Sequence, residues 1–251
     1  MHTPTTPPLD TCLQGRLWRG SSLVGAAAEP ALPSGFPALD AALPGGGWPL
    51  QAAIELLVAD AGVLEWRLLA PALRGWWAGQ APAPRPLLLV NPPHAPHLPG
   101  LQALGLPPAA LIWVAATAPA EALWAAEQAI KSRTAVLAWL PEARPEQIRR
   151  LQVGALGSDA PVFLVRPQQA RQQSSAAPLR LVVQPGEGWA LHVHLLKRRG
   201  PAHAGWLALP AVPGAVAPLL TADQRQSVPV PMPAPASTER RHALARPVLH
   251  A

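Results

Sequence analysis

The residues best placed to do chemistry surround one short apolar run. Ala53-Ile54-Glu55-Leu56-Leu57 has the make-up of a buried strand, and Val58-Ala59-Asp60-Ala61-Gly62-Val63-Leu64-Glu65 follows it. A loop between a strand and a helix is where a phosphate-binding ATPase core carries GxxxxGK[ST]. There, backbone N–H groups cradle phosphates, the lysine meets the β- and γ-phosphates, and the hydroxyl holds magnesium. In this chain the lysine position falls on Leu64 or Glu65, with no Ser or Thr nearby. A glutamate at that point repels a triphosphate. The chain's two lysines are Lys131 and Lys197, so none precedes residue 131.

Two further requirements fail. The apolar run Leu87–Val90 should lead to a carboxylate that activates water, and Asn91-Pro92-Pro93-His94 follows it. The run Ala135–Ala138 should end on an aspartate for the metal, and Trp139 follows. Gly62, Leu64, Glu65, Pro93 and Trp139 therefore mark a degenerate nucleotide site. The layout of an ATPase is kept, its catalytic groups are missing, and no catalytic residue, cofactor or metal is expected.

Other candidates carry less. Gly45-Gly46-Gly47 precedes the strand instead of following it and is flanked by Pro44 and Pro49, which reads as a turn. His94 and His97 lie in a proline-rich loop with no third ligand nominated. Ser34, Ser174 and Ser175 lack a G-x-S-x-G context. The single cysteine, Cys12, excludes an intramolecular disulfide and a cysteine-rich metal site. Ten tryptophans supply core and interface anchors, and adjacent Trp76 and Trp77 on one helix predict that one of them meets a partner.

The elements that must position these residues alternate. Helices are expected over residues 63–80, 119–132 and 145–156, with a shorter one beginning near Pro37. Strands are expected over 53–57, 87–90, 111–114, 135–140, 162–165, 179–183 and 189–196. Short, continuously apolar strands between helices imply a parallel sheet covered on both faces. The last two strands, joined by a turn at Gly186–Gly188, imply antiparallel additions at one edge. Residues 1–31 read as a partly ordered arm, 32–200 as the core, and 201–251, with nine prolines, as an extended tail. Arg240 to His250 could form a short docking peptide within that tail.

Charge is uneven. Residues 1–130 carry five basic and eight acidic side chains, whereas residues 131–200 carry eleven basic and four acidic. The basic segment suits a polyanion or an acidic partner, and the arginine-rich, lysine-poor usage equally fits nucleotide bias of the genome. No secretory pattern opens the chain and no long apolar run spans a membrane, which predicts a cytoplasmic protein without membrane contact.

From Leu32 to Gly200 the chain resembles the ImuA family, the SulA/RecA-like accessory proteins of bacterial translesion synthesis. The segments that carry the resemblance begin with Leu32-Pro33-Ser34-Gly35-Phe36-Pro37-Ala38-Leu39-Asp40 and Leu43-Pro44-Gly45-Gly46-Gly47-Trp48-Pro49. Glu55-Leu56-Leu57, Gly62 to Leu69, Val90-Asn91-Pro92-Pro93-His94 and Leu123-Trp124-Ala125-Ala126-Glu127-Gln128 continue it. Ala138-Trp139-Leu140, Arg149-Arg150-Leu151-Gln152, Pro178-Leu179-Arg180-Leu181 and Leu195-Leu196-Lys197-Arg198-Arg199-Gly200 complete it.

The resemblance implies a RecA-like three-layer α/β core with a mostly parallel central sheet, antiparallel edge strands and extended tails. It implies a non-catalytic role in SOS-induced translesion DNA synthesis. The implied partners are ImuB, which is a Y-family-like polymerase without catalytic residues, an error-prone C-family DNA polymerase, RecA and single-stranded DNA. By analogy with RecA, the segment from Arg166 to Arg180 is a mobile DNA-binding loop, and an ordinary solvated connection is the alternative. Arg149, Arg150, Arg166, Arg171, Arg180, Lys197, Arg198 and Arg199 are the side chains expected to meet DNA or a partner. Leu17-Trp18-Arg19 could join neighbouring copies. Two competing readings are a DNA-stimulated ATPase of the same pathway and a SulA-like inhibitor of cell division that binds FtsZ.

Overall fold

The computed structural model describes residues 30–80, 85–213 and 216–221. Ten strands and five α-helices are found among them, with three short 3-10 turns. The strands are β1 (Ala31–Leu32), β2 (Trp48–Pro49), β3 (Ala53–Val58), β4 (Leu87–Val90) and β5 (Leu111–Val114). They continue with β6 (Ala135–Trp139), β7 (Val162–Pro167), β8 (Leu179–Pro185), β9 (Ala190–Lys197) and β10 (Leu207–Pro210). The helices are α1 (Pro37–Ala42), α2 (Leu64–Ala78), α3 (Leu98–Ala103), α4 (Pro119–Lys131) and α5 (Pro145–Ala155).

Eight strands form one sheet in the order β10-β9-β8-β3-β7-β6-β4-β5. Pairing is parallel from β8 through β5 and antiparallel between β8 and β9 and between β9 and β10. Strands β1 and β2 make a separate antiparallel pair. The chain is thus α/β with a large, mostly parallel sheet and antiparallel additions at one edge.

Alternation along the strands sorts side chains onto two faces. Ile54, Leu56 and Val58 of β3 pack with Leu68, Leu69 and Leu73 of α2, joined by Leu87, Leu89 and Leu137. Ala53, Leu88, Val90, Val136, Ala138, Val162 and Leu164 face the other way, against Leu123, Ala126 and Ile130 of α4 and Ile148 and Leu151 of α5. Helices therefore cover both faces of β3, β4, β6 and β7, and these strands read as continuous apolar runs because both of their faces are buried, whereas the edge strand β5 leaves Ile112 and Trp113 exposed. No helix among the described residues is long and apolar enough to cross a membrane.

Glycine decides the geometry of the turn before β3. A Cβ on Gly47 would lie 2.3 Å from the carbonyl oxygen of Leu32, so only glycine lets this segment pass β1.

Three expectations need correction. The sheet does not stop at Lys197: Leu207–Pro210 adds β10 to β9 in what reads as tail. Its four residues and flanking prolines give too little periodicity to register as a strand. Helix α3 was not anticipated either, because Pro99 and Gly100 lie inside it. Finally, Trp76 and Trp77 are both buried, so neither is left for a partner. Arg85 lies over them: Trp77 Nε1 donates to the Arg85 carbonyl at 2.9 Å, and the Arg85 guanidinium lies over the Trp76 ring at 5.4 Å. The Leu17–Arg19 arm and the Arg240–His250 segment lie outside the described residues.

Candidate functional site

The loop after β3 leads directly into α2, as a phosphate loop would. Helix starts carry unsatisfied N–H groups and the positive end of the helix dipole, which together attract an anion. Here the anion comes from the chain itself. The Glu65 side chain turns back into the loop, where Oε1 accepts the Gly62 backbone N–H at 2.6 Å. The same oxygen accepts the indole N–H of Trp139, at the end of β6, at 2.6 Å. Glu65 is fully buried and its Oε2 has no hydrogen-bond partner.

The five positions read as a degenerate nucleotide site therefore meet in one place. Leu64 is buried as the first residue of α2. Gly62 has φ +113°, and a Cβ there would lie 2.8 Å from the His94 ring and 3.2 Å from Pro93, so the turn after β4 lies against the loop. Trp139 packs on Trp66 with ring centroids 6.0 Å apart. Asn91 takes φ +51°, and its Oδ1 accepts the Ala116 N–H at 2.6 Å, so this side chain fastens the end of β4 to the end of β5. His97 Nδ1 accepts the Gly100 N–H at 3.2 Å and caps α3. No group of three metal-ligating side chains occurs among the described residues.

Beside this loop a cleft of about 660 Å³ lies over the carboxyl ends of β4 and β6, between the starts of α4 and α5. Its walls include Asn91, Pro119, Leu123, Trp139, Leu140 and Arg144. Both helix starts are capped internally. Glu121 accepts the Thr117 N–H at 3.1 Å, the Thr117 hydroxyl at 3.0 Å and the Ala118 N–H at 3.3 Å. These bonds, the Thr117 hydroxyl's first, hold the Glu121 carboxyl below its ordinary pKa. Gln147 Oε1 accepts the Arg144 N–H at 2.8 Å. The cleft therefore presents apolar wall to a visitor, with its helix-start donors already committed.

The basic residues separate into distinct groups. Arg166 and Arg180 do not reach the surface: they are 2% and 5% exposed. Both bind one carboxylate, Glu55, in the middle of β3. Arg166 Nη1 meets Oε1 at 2.8 Å, and Arg180 Nε meets Oε2 at 2.5 Å. Their other donors go to the turn before α5 and to the crossover between β7 and β8. Arg166 Nη2 donates to the Ala143 carbonyl at 2.5 Å and to Gln173 Oε1 at 2.8 Å. Arg180 donates to the carbonyls of Gln173 at 3.1 Å and Ala170 at 2.8 Å. The expected DNA contacts at these two residues are thus replaced by a buried ion cluster. A lone glutamate in an apolar strand requires a cationic partner, and Glu55 within Ala-Ile-Glu-Leu-Leu was the available signal.

The crossover itself holds a 3-10 turn, Gln168–Gln172, and only its outer side is open. Arg171 is exposed there with Gln172, Gln173 and Ser174. Lys197 is exposed and donates to the Ser175 carbonyl at 2.8 Å. Arg198 reaches the carbonyls of Ala42 and, at 2.7 Å, Pro201, and Arg199 is exposed beside it. Arg149 and Arg150 are exposed on α5, where Arg150 binds Glu127 of α4. Lys131 binds Glu127 as well, at 3.1 Å, through the expected i,i+4 spacing. Burial alone would raise the pKa of Glu127, but its bonds with Lys131 and Arg150 bring it below the ordinary value.

No protein-family model matches the chain, and no curated protein does.

Proposed function

We propose that this chain is a RecA-like, non-catalytic accessory protein of SOS-induced translesion DNA synthesis. It joins ImuB, an error-prone C-family polymerase, RecA and single-stranded DNA without consuming a nucleotide. The observation that carries the proposal is the Glu65 carboxylate. It takes the Gly62 N–H and the Trp139 indole N–H in the loop after β3, where a phosphate group would have to bind. The sheet order supports the same reading, because it sets that loop on a central strand with parallel neighbours and puts antiparallel strands at one edge. The ImuA-like residues supply the pathway. An ATPase reading has no lysine, hydroxyl or carboxylate to work with at the corresponding positions.

The test combines capture of ImuB by the purified full-length chain with an ATP hydrolysis assay. Retention of ImuB without turnover is expected. Failure to retain ImuB, or turnover that survives rigorous purification, overturns the proposal. Retention of FtsZ in place of ImuB would favour the division-inhibitor reading.

A further inference from the structure

The sheet is not covered alike along its width. Beyond β3, the face that α4 and α5 cover elsewhere is closed by a small cluster: Leu57, Ala170 and Val182, with Leu196 and Trp206 packed against it. No helix contributes to that cluster. His192 and His194 of β9 alternate with buried Leu191, Val193 and Leu195, so both histidines point to this side and are half-buried. Trp206 leads into β10 and lies beside His194, with ring centroids 5.2 Å apart and planes inclined by 36°. Arg171 reaches the same region from the crossover: burial first, and then the charges of Arg171 and His203, hold the His194 pKa below its ordinary value. His203 keeps a buried Nδ1 with no hydrogen-bond partner.

We infer that this open face is a binding site for single-stranded nucleic acid, with Trp206 and His194 as the base-stacking pair and Arg171 as the phosphate contact. The inference rests on the accessory-protein reading and moves its DNA contact away from Arg166 and Arg180, whose charges are spent on Glu55. Charge supports the occupant. Apart from the buried Arg166 and Arg180, four basic residues between Ala160 and Pro213, namely Arg171, Lys197, Arg198 and Arg199, accompany one acidic residue, Glu187. Chemistry supports it too. Half-buried rings on a sheet face that no α-helix covers, with a cation near them, suit planar bases joined by phosphates. An acidic peptide would require the cation and leave the rings unused.

The test is fluorescence anisotropy of a labelled oligothymidylate with the full-length chain across a salt series. Trp206→Ala should weaken binding about ten-fold or more, while Trp206→Phe and His194→Phe keep most of it. Arg171→Ala should lower the slope of log affinity against log salt by about 0.7. The inference also takes the DNA contact away from Arg149 and Arg150 of α5, so a double Arg149→Ala, Arg150→Ala variant should bind like the parent. Unchanged binding in a folded Trp206→Ala protein, or loss only in the α5 variant, overturns the inference. So does displacement of the oligonucleotide by polyglutamate with equal affinity for the parent and Trp206→Ala. ImuB capture by the same variants separates the two proposals. Capture without any affinity for DNA sinks this site alone, and DNA binding that depends on Trp206 without capture sinks the accessory role alone.

Discussion

Glu55 and Glu65 are both fully buried, one inside β3 and one just beyond it, and they settle their charges differently. Glu55 is held by two guanidinium groups, so the local charge is balanced and then exceeded. Glu65 meets only neutral donors, a backbone N–H and an indole N–H, and one of its oxygens has no partner. The first arrangement is internal architecture: it joins β3, β7 and β8. The second joins the loop entering a helix, through the Gly62 N–H, to the end of β6, through the Trp139 indole, and on the proposed reading it stands where a phosphate would bind. A buried carboxylate is therefore read by what it is paired with.

The sharpest test of this contrast is Glu55→Ala. It leaves Arg166 and Arg180 buried and unpaired, and should cost about 3–5 kcal/mol in urea denaturation. Glu55→Gln should still cost about 2 kcal/mol or more, because a neutral amide cannot balance two guanidiniums. Glu65→Ala should cost less, about 2 kcal/mol, through the orphaned Gly62 and Trp139 donors. Glu65→Gln keeps an acceptor and should stay within about 1 kcal/mol of the parent. If Glu65→Gln proves as damaging as Glu55→Gln, the contrast collapses. At the exposed end of the scale, Lys131→Ala removes an i,i+4 pair and should cost about 0.3–0.5 kcal/mol.

The smallest effect concerns acid. The depressed pKa of His194 means that the unfolded chain takes up a proton more readily than the folded one below pH about 6.5. Its contribution to stability is present above that pH and declines as pH falls below it. The slope should shrink in His194→Phe. Urea midpoints measured at successive pH values check this.

Much of the scaffold was legible because both faces of β3, β4, β6 and β7 are buried. Continuous apolar runs such as Leu87–Val90 and Leu111–Val114 match the observed strands residue for residue. The misses share a cause, which is that distant partners decided them. Arg166 and Arg180 were read as surface cations because their partner lies 111 and 125 residues away. One of Trp76 and Trp77 is expected from sequence to meet a partner because Arg85 lies over α2 only in the tertiary structure. At the site, the missing lysine was plain in the sequence. The turn of Glu65 back toward Gly62 and Trp139 was not, since no spacing rule encodes a side-chain direction.

The Glu55 cluster has a bearing on motion. Arg180 fastens the crossover carbonyls of Ala170 and Gln173, and Arg166 the Gln173 side chain, to the centre of the sheet. A surface connection ordinarily opens by local fluctuation, at little free-energy cost. This one cannot loosen without exposing a buried carboxylate and two arginines. Amides around Ala170 and Gln173 should therefore exchange with solvent at the pace of the central strands, making a segment that looks like a loop part of the slowest-opening unit of the protein.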